Sequence, residues 1–155
     1  MRYAIGCDHA GFPLKEPIVE ELGARGHTVI DMGTNGFASV DYPSFAFRVG
    51  CAIVAGEADM GVLICGTGTG MAIAANKIDG IRAVSVSEAF SARMGRAHND
   101  ANILCLGARV LGSGAAVDVL RAWLETDFEG GRHLRRVEML TGIKTCGEPR
   151  PEEMT

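Results

Sequence analysis

Residues 61–71 read Gly61-Val62-Leu63-Ile64-Cys65-Gly66-Thr67-Gly68-Thr69-Gly70-Met71, an apolar run that ends in a thiol and a glycine-rich turn. Such a run is typical of a buried β-strand, and the pattern after it indicates the start of a helix. Glycines let several backbone N–H groups converge, so the turn could bind a phosphate or an enediolate oxygen. The same local field would favour the thiolate of Cys65, which could then act as a base near neutral pH.

A second interpretation of this turn is a nucleotide-binding loop in which Cys65 is only a small core residue. The G-x-G-x-x-G pattern counted from Gly66 requires Gly or Ala where Met71 stands, and counted from Gly68 it meets Ile73. A Walker loop requires Lys followed by Ser or Thr after its last glycine, and this pair is missing from the sequence here. A flavodoxin-like module that binds a nucleotide or a flavin without catalysis stays open as an alternative.

On both sides of this stretch, short apolar runs alternate with segments of helical period. The predicted strands are residues 3–7, 28–32, 60–65, 83–86 and 103–106, and the predicted helices are residues 14–24, 44–55, 71–77, 89–97, 114–125 and 134–141. This alternation predicts an α/β protein with a parallel sheet of about five strands and helices on both faces. We expect one domain over residues 1–145 and a flexible tail over residues 146–155.

The composition excludes several classes of partner. The chain has 155 residues and a net charge of −4, and its charges are interleaved without a basic run that could follow a nucleic acid or an anionic membrane. No apolar run approaches the roughly 20 residues of a membrane span, and the start of the chain lacks a signal-peptide pattern. The five cysteines form no C-x-x-C pair, which indicates a reducing compartment. We therefore expect a cytoplasmic protein with no nucleic-acid and no membrane partner.

Polar side chains follow four of the predicted strands. In a parallel α/β sheet the ligand crevice lies outside the carboxyl ends of the strands, so these side chains should converge there. An adjacent Asp and His at a strand end can also simply cap the following helix. Convergence from several strands favours a site, and its candidate residues are Asp8, His9, Asp41, Tyr42, Cys65, Thr67 and Arg109.

His98 precedes the fifth strand and therefore lies at the opposite edge of its own sheet. A catalytic role for His98 would require a two-fold dimer that brings this side chain into the partner's crevice. The alternative is that residues 98–102, His98-Asn99-Asp100-Ala101-Asn102, form a polar turn.

Two arginines at helical spacing mark the last helix. Arg132 and Arg136 are one turn apart and share a face, so they could hold a phosphate, whereas Arg135 should face solvent. A solvated basic face is the alternative. His27 and His133 are interpreted as surface or structural residues.

Six strings of the sequence, taken together in their order and spacing, resemble the type B ribose-5-phosphate isomerases over residues 2 to about 141. They are Gly6-Cys7-Asp8-His9-Ala10-Gly11-Phe12, Asp41-Tyr42-Pro43, Ile64-Cys65-Gly66-Thr67-Gly68-Thr69-Gly70, Ala74-Ala75-Asn76-Lys77, His98-Asn99-Asp100-Ala101-Asn102 and Glu129-Gly130-Gly131-Arg132-His133. The resemblance implies a flavodoxin-like (Rossmann-like) three-layer sandwich, a homodimer with shared active sites or possibly a tetramer, and no metal or organic cofactor. It implies an aldose–ketose isomerase that interconverts ribose 5-phosphate and ribulose 5-phosphate through an enediolate.

The resemblance also implies a role for each site residue. Cys65 is similar to the base that moves a proton between C1 and C2, and His98 of the partner is similar to the acid that opens the furanose ring. Some members have Ser at the position of Cys65 and use a Glu shortly after it as the base, but the stretch Thr69-Gly70-Met71-Ala72 carries no carboxylate. Thr67 and the amides of Gly66, Gly68, Thr69 and Gly70 are implied to bind the enediolate, and Asp41 is implied to move a proton between its oxygens. The implied sugar contacts are Asp8, His9, Tyr42 and Asn99. The implied phosphate ligands are Arg109, Arg132 and Arg136.

The resemblance leaves the sugar open. The superfamily also contains isomerases of galactose 6-phosphate and of four-carbon sugar phosphates, and allose 6-phosphate is a further candidate. Cys65, His98 and the two late arginines favour the ribose enzyme, whereas no residue pattern measures the length of the pocket. A metal enzyme using Cys65, His9 and His98 is not favoured, because these residues lack the spacing of a metal site.

Overall fold

The computed structural model describes residues 1–143, so the predicted tail over residues 146–155 and the last two residues of the predicted domain lie outside the described residues. The strands are β1 (Arg2–Cys7), β2 (Thr28–Asp31), β3 (Met60–Cys65), β4 (Ala83–Ser85) and β5 (Ile103–Gly107). The helices are α1 (Phe12–Ala24), α2 (Tyr42–Val54), α3 (Thr69–Ala75), α4 (Ala89–Asn99), α5 (Ser113–Leu124) and α6 (Arg132–Gly142). Each predicted element is confirmed, with its ends shifted by at most two residues.

The five strands form one parallel sheet in the order β2-β1-β3-β5-β4. The predicted sheet of about five parallel strands is therefore confirmed. The last two strands are exchanged relative to the simple 2-1-3-4-5 order of flavodoxin, so β5 lies next to β3 and β4 forms the edge. Cys65 at the end of β3 pairs with Gly107 at the end of β5.

Alternating side chains of the sheet pack into two apolar layers. Because side chains along a strand point to opposite faces in turn, Tyr3 and Ile5 of β1 pack with α1, α4 and α5, whereas Leu63 of β3 packs with α2 and α3. Each fully buried Leu, Ile or Phe side chain contributes about 1.5–3 kcal/mol relative to exposure. The Cys65 side chain lies in the α2–α3 layer.

The last helix lies away from the carboxyl edge of the sheet. α6 contacts α4 and buries His133 and Val137, which are one helical turn apart on its inner face. This contact places α6 beside the end of α4, which directly precedes β5. None of the helices within residues 1–143 combines the length and the hydrophobicity needed to cross a lipid bilayer.

Candidate active site

The end of β3 holds a thiol inside a turn of backbone amides. Cys65 is only 6% exposed, and its Sγ accepts the Gly68 N–H at 3.1 Å. Gly68 adopts φ +79°, and a Cβ there would lie 2.8 Å from the Ser85 hydroxyl and 3.1 Å from the Leu106 carbonyl carbon. Glycine at this position therefore allows the turn to fold back and place its N–H on the sulfur. The Cys65 sulfur is therefore held at the turn as the acceptor of a backbone hydrogen bond.

Several amides around the thiol are not used by the fold. Within residues 1–143 no hydrogen bond engages the N–H of Gly66, Gly70 or Met71, and the exposed Thr67 side chain accepts the Thr69 N–H at 3.4 Å. Free N–H groups that converge on one concavity form an anion-binding nest. The turn can therefore receive an oxyanion next to the Cys65 sulfur.

Arg109 follows β5 and lies over the same turn. Its N–H donates to the Gly66 carbonyl at 2.9 Å, and its side-chain Cδ comes within 3.4 Å of the place where a Cβ on Gly66 would stand. The exchange of β4 and β5 causes this contact, because it makes the strand that precedes Arg109 the direct neighbour of β3. The guanidinium adds a positive charge beside the nest.

The end of β1 packs directly against the end of β3. The Asp8 N–H donates to the Ile64 carbonyl at 3.2 Å, and the Asp8 carboxylate, buried at 5% exposure, accepts the Gly11 N–H at 2.8 Å. The Asp8 carboxylate therefore holds the turn before α1 rather than capping this helix, whose N-cap is Gly11, and Asp8 lies one strand from Cys65. His9 Nδ1 accepts the Val40 N–H at 3.2 Å, which leaves Nε2 to carry the ring proton.

The connection from β2 to α2 supplies the next wall. The Tyr42 ring lies against Gly70, where an added Cβ would be 2.9 Å from the ring carbons. Asp41 precedes it at the N-cap of α2, is exposed, and makes no capping hydrogen bond with its side chain. The structure therefore brings together Asp8, His9, Asp41, Tyr42, Cys65, Thr67 and Arg109, together with the turn residues Gly66, Gly68, Thr69 and Gly70.

The structure does not bring the remaining predicted residues to this edge. His98 and Asn99 end α4 before β5, and the step from Ile103 to Gly107 alone spans about 13 Å at about 3.3 Å per residue. Arg132 and Arg136 occupy one face of α6 and are exposed. Within one subunit these four residues therefore lie at the amino edge of the sheet.

Two arginines fix the turn that follows His98. Asp100 adopts φ 46°, and its carboxylate binds Arg82 Nη2 at 2.7 Å and Arg96 Nη1 at 3.0 Å. Arg82 Nε also donates to the Asn99 carbonyl at 3.1 Å. The segment is therefore a helix end followed by a clamped turn.

The His98 ring is stacked on a second imidazole. The rings of His98 and His133 are parallel within 3° at a centroid distance of 4.1 Å, and Glu129 Oε2 lies 3.8 Å from His98 Nε2 and 3.6 Å from His133 Nε2. The three residues place possible ligand atoms within 4.8 Å of one another. In-plane lone pairs of parallel rings do not converge on one ion, and Arg132 Nε donates to His133 Nε2 at 3.4 Å. This arrangement suits a hydrogen-bonded stack rather than a metal centre.

Sequence reasoning missed the contacts of three residues. For His133 the surface interpretation is wrong and the structural one agrees with its 5% exposure and its stacking on His98; the i, i+4 spacing of His133 and Val137 was the signal of a buried face. Glu129 places Oε2 within 3.8 Å of the Nε2 atoms of both imidazoles. Lys15, 8% exposed, donates to Asp31 Oδ2, the Thr34 carbonyl and Asn35 Oδ1 at 2.8–2.9 Å. No local pattern in the sequence indicated this contact.

The chain is similar to known proteins in sequence. A protein-family model described as Ribose/Galactose Isomerase matches residues 3–140. Ribose-5-phosphate isomerase B of Escherichia coli (strain K12) is 52% identical over 143 residues, which make up 92% of this chain and 96% of that protein.

The fold is similar to solved structures as well. Ribose-5-phosphate isomerase B of Clostridium thermocellum matches with a TM-score of 0.90 at 51% identity, over 92% of this chain and 96% of that one. Ribose-5-phosphate isomerase B of Mycoplasma genitalium, solved with bound ribulose 5-phosphate, matches with a TM-score of 0.87 at 39% identity, over 91% of this chain and 94% of that one.

Proposed function

The chain belongs to the ribose/galactose isomerase family, and we propose that it interconverts ribose 5-phosphate and ribulose 5-phosphate through an enediolate. That it is an aldose–ketose isomerase follows from the family. The observation that carries the proposed chemistry is the Cys65 thiol, which accepts the Gly68 N–H at the mouth of a nest of free amides. A non-catalytic module for nucleotide or flavin, the other class considered from the sequence, does not fit this family.

Cys65 is the proposed carrier of the proton between the two carbons. Its thiolate removes the proton from C2 of the open-chain aldose, the C–H electrons form the C1–C2 double bond, and the carbonyl electrons move onto O1. The proton on O2 then passes to O1, for which the exposed Asp41 carboxylate is the proposed relay. Cys65 returns its proton to C1, and O2 becomes the ketone oxygen of the product.

The turn after Cys65 is the proposed site of charge stabilisation. As C2 loses its proton, negative charge grows on O1, the carbonyl oxygen of C1, and the free amides of Gly66 and Gly70 and the Thr67 hydroxyl are the available donors. Donors that are already aligned need no reorganisation during the reaction, and loss of one such donor from an oxyanion site costs about 3–4 kcal/mol. Asp8, His9 and Tyr42 line the same crevice and are proposed to contact the sugar.

We propose that a two-fold homodimer completes each crevice. One subunit would contribute Cys65 and its nest, and the partner subunit would contribute His98 as the ring-opening acid, Asn99 beside it, and Arg132 and Arg136 for the phosphate. The support is that the two groups lie at opposite edges of the sheet within one subunit. The length of β5, about 13 Å, separates them, and no side chain is long enough to bridge that distance. Arg109, which lies over Gly66, is the proposed phosphate contact of the first subunit. Pairing of two such dimers into a tetramer is compatible with this arrangement.

The proposed compartment is the cytoplasm, and the proposed unit is one domain over residues 1–145. Cys7, Cys51, Cys65 and Cys105 are free thiols, and exposed or reactive thiols persist in reducing compartments.

A substrate panel tests the proposed function. The purified enzyme, with a chelator present, is assayed with ribose 5-phosphate, allose 6-phosphate, galactose 6-phosphate and a tetrose 4-phosphate. We expect kcat/KM for ribose 5-phosphate to exceed the others by about tenfold or more, because one carbon of chain length is worth about 1–3 kcal/mol in a fitted pocket. A Cys65→Ala enzyme purified in parallel reports contaminating host isomerase. A higher kcat/KM for any other sugar would overturn the proposed substrate.

A further inference from the structure

His133 is a buried polar side chain to which the proposed reaction assigns no role. It is 5% exposed, lies on the inner face of α6, and stacks on His98 with ring planes 3° apart. Its Nε2 accepts the Nε–H of Arg132 at 3.4 Å. One imidazole thus contacts both the proposed ring-opening acid and one of the proposed phosphate ligands.

The surroundings hold His133 in place against α4. Glu129 donates its N–H to the Ala97 carbonyl at 3.0 Å, which ties the start of the α6 segment to the helix that carries His98. The Glu129 carboxylate lies beside the stack, with Oε2 3.6 Å from His133 Nε2 and 3.8 Å from His98 Nε2. On the other side of this segment, Arg82 and Arg96 clamp Asp100. The backbone on both sides of this contact, before α6 and after α4, is therefore fixed. The His98 side chain itself is 36% exposed and has no such restraint from its own helix.

We propose that His133 is a positioning residue, which fixes the ring plane of His98 by stacking and the guanidinium of Arg132 by accepting its Nε–H. The inference rests on the roles proposed above for His98 and Arg132. A half-exposed imidazole at a helix end has several rotamers available, and a parallel ring at 4.1 Å removes those that swing away from α6. A displacement of about 1 Å in a reacting group can cost roughly 100-fold in rate.

The charge state of His133 suits both contacts. Burial, followed by the neighbouring His98 and Arg132, lowers the pKa of His133 below its ordinary value. A neutral imidazole can present a lone pair to the Arg132 Nε–H and does not repel His98 when His98 carries a proton. A second positive charge at this position would disfavour both neighbours.

Two substitutions separate the two contacts. His133→Phe keeps an aromatic ring under His98 but removes the acceptor, so kcat with ribose 5-phosphate should stay within about threefold of wild type while KM rises. His133→Gln keeps a polar atom near the position of Nε2 but removes the ring, so kcat should fall by roughly tenfold or more while KM changes little. Melting temperatures of both variants report their folding.

Isotope exchange separates positioning of the acid from general damage. Ribulose 5-phosphate has its O5 esterified and cannot close to a furanose ring, so exchange of its C1 proton with D2O requires Cys65 but no ring opening. The exchange rate at saturating ribulose 5-phosphate, followed by proton NMR, should stay within about threefold of wild type in His133→Gln. In a His98→Ala background, His133→Gln should cause no further loss of kcat, because its effect on kcat acts through His98.

The outcomes distinguish this inference from the proposed function. If wild-type enzyme does not convert ribose 5-phosphate, the proposed function fails. If wild type converts it but the Phe and Gln variants behave alike, or if C1 exchange falls in parallel with turnover in His133→Gln, then His133 is not a positioning residue for His98 and Arg132. Additive losses of kcat in the double variant would overturn the inference in the same way.

Discussion

Cys7, Cys65 and Cys105 lie on strands of one sheet, but their sulfur atoms have different surroundings. Burial raises the pKa of Cys7 to about 11, and its Sγ–H donates to the Thr34 carbonyl at 3.8 Å. Burial, with Cys65 nearby, also raises the pKa of Cys105. Cys65 instead accepts an N–H from Gly68. Burial therefore favours the protonated form of the first two thiols, whereas the sulfur of the third is the acceptor of a backbone hydrogen bond.

The first residue-scale prediction concerns Cys65 as the base. Cys65→Ala should abolish isomerisation while binding of a phosphate ligand survives, because the thiol is the proposed proton carrier and the amides remain. Iodoacetamide should inactivate the wild type, and substrate should protect it.

The matched control is Cys51, a partly exposed free thiol on α2 outside the site. Cys51→Ala should keep both its activity and its sensitivity to iodoacetamide. If Cys65→Ala retains more than about a tenth of wild-type kcat/KM, a loss below about 1.4 kcal/mol, Cys65 has no essential part in the mechanism.

The second residue-scale prediction compares two neighbouring arginines of α6. Arg136→Ala should raise KM by about tenfold or more with a smaller change in kcat, because a charge-assisted hydrogen bond to phosphate is worth roughly 1.5–3 kcal/mol. Arg135→Ala is the control and should leave KM near its wild-type value, since Arg135 lies on another face of the helix. Steady-state kinetics with ribose 5-phosphate measure both, and equal effects of the two substitutions would contradict the phosphate grip.

At the scale of elements, a buried lysine organises the connection between β2 and α2. Lys15 of α1 donates to three acceptors at the start of this connection, on Asp31, Thr34 and Asn35. Further along it, the Val40 N–H donates to His9 Nδ1. The ammonium group therefore holds a loop whose other end orients the His9 imidazole and leads into Asp41.

Replacement of this lysine should loosen the loop. Lys15→Met keeps the length of the side chain and removes its three donated hydrogen bonds, so we expect a loss of about 1–3 kcal/mol in the free energy of unfolding. KM should also rise, because His9 loses part of its support. Denaturant unfolding and steady-state kinetics measure the two effects.

The neighbouring exposed Glu16 supplies the control for this change. Glu16→Gln should alter neither stability nor KM appreciably. Unchanged stability in Lys15→Met would show that the three hydrogen bonds contribute nothing net to the fold. A lower stability with an unchanged KM would separate the loop from the site.

At the scale of the whole molecule, the site residues divide between two edges of the sheet. Residues that follow strands lie around Cys65, and those that precede β5 or lie on α6 surround His98. Subunit exchange tests whether a dimer joins the two groups. Mixed Cys65→Ala and His98→Ala dimers should form heterodimers in which one crevice carries both lesions and the other carries neither.

Random exchange makes half of the dimers hybrid, each with one intact site of two, so activity should rise to about a quarter of the wild-type specific value. Native mass spectrometry confirms that heterodimers have formed, and each parent incubated alone is the control. If the exchanged mixture stays as inactive as its parents, His98 does not act in the crevice of its partner.

The sequence by itself was sufficient to predict the elements and to place the residues that follow the strands at one edge of the sheet. Strands and helices leave a local period of two or 3.6 residues, and the positions that follow parallel strands must meet at one edge. Asp8, Cys65 and Thr67 could therefore be assigned to one crevice before any coordinates were known. The glycines of residues 66–70 carried the same kind of local information, because free amides and a positive φ at Gly68 require small residues.

The tertiary structure alone decided which strands are neighbours and which side chains meet across them. The hydrophobic period of a strand does not indicate whether β5 pairs with β3 or forms the edge of the sheet. Pairing with β3 is nevertheless what places Arg109 over Gly66. The stack of His133 on His98 and the hydrogen bonds from Lys15 to residues 31–35 join segments that lie 16–35 residues apart in the chain. Such contacts depend on how packed layers fit together, and that fit is a property of the whole fold rather than of any segment.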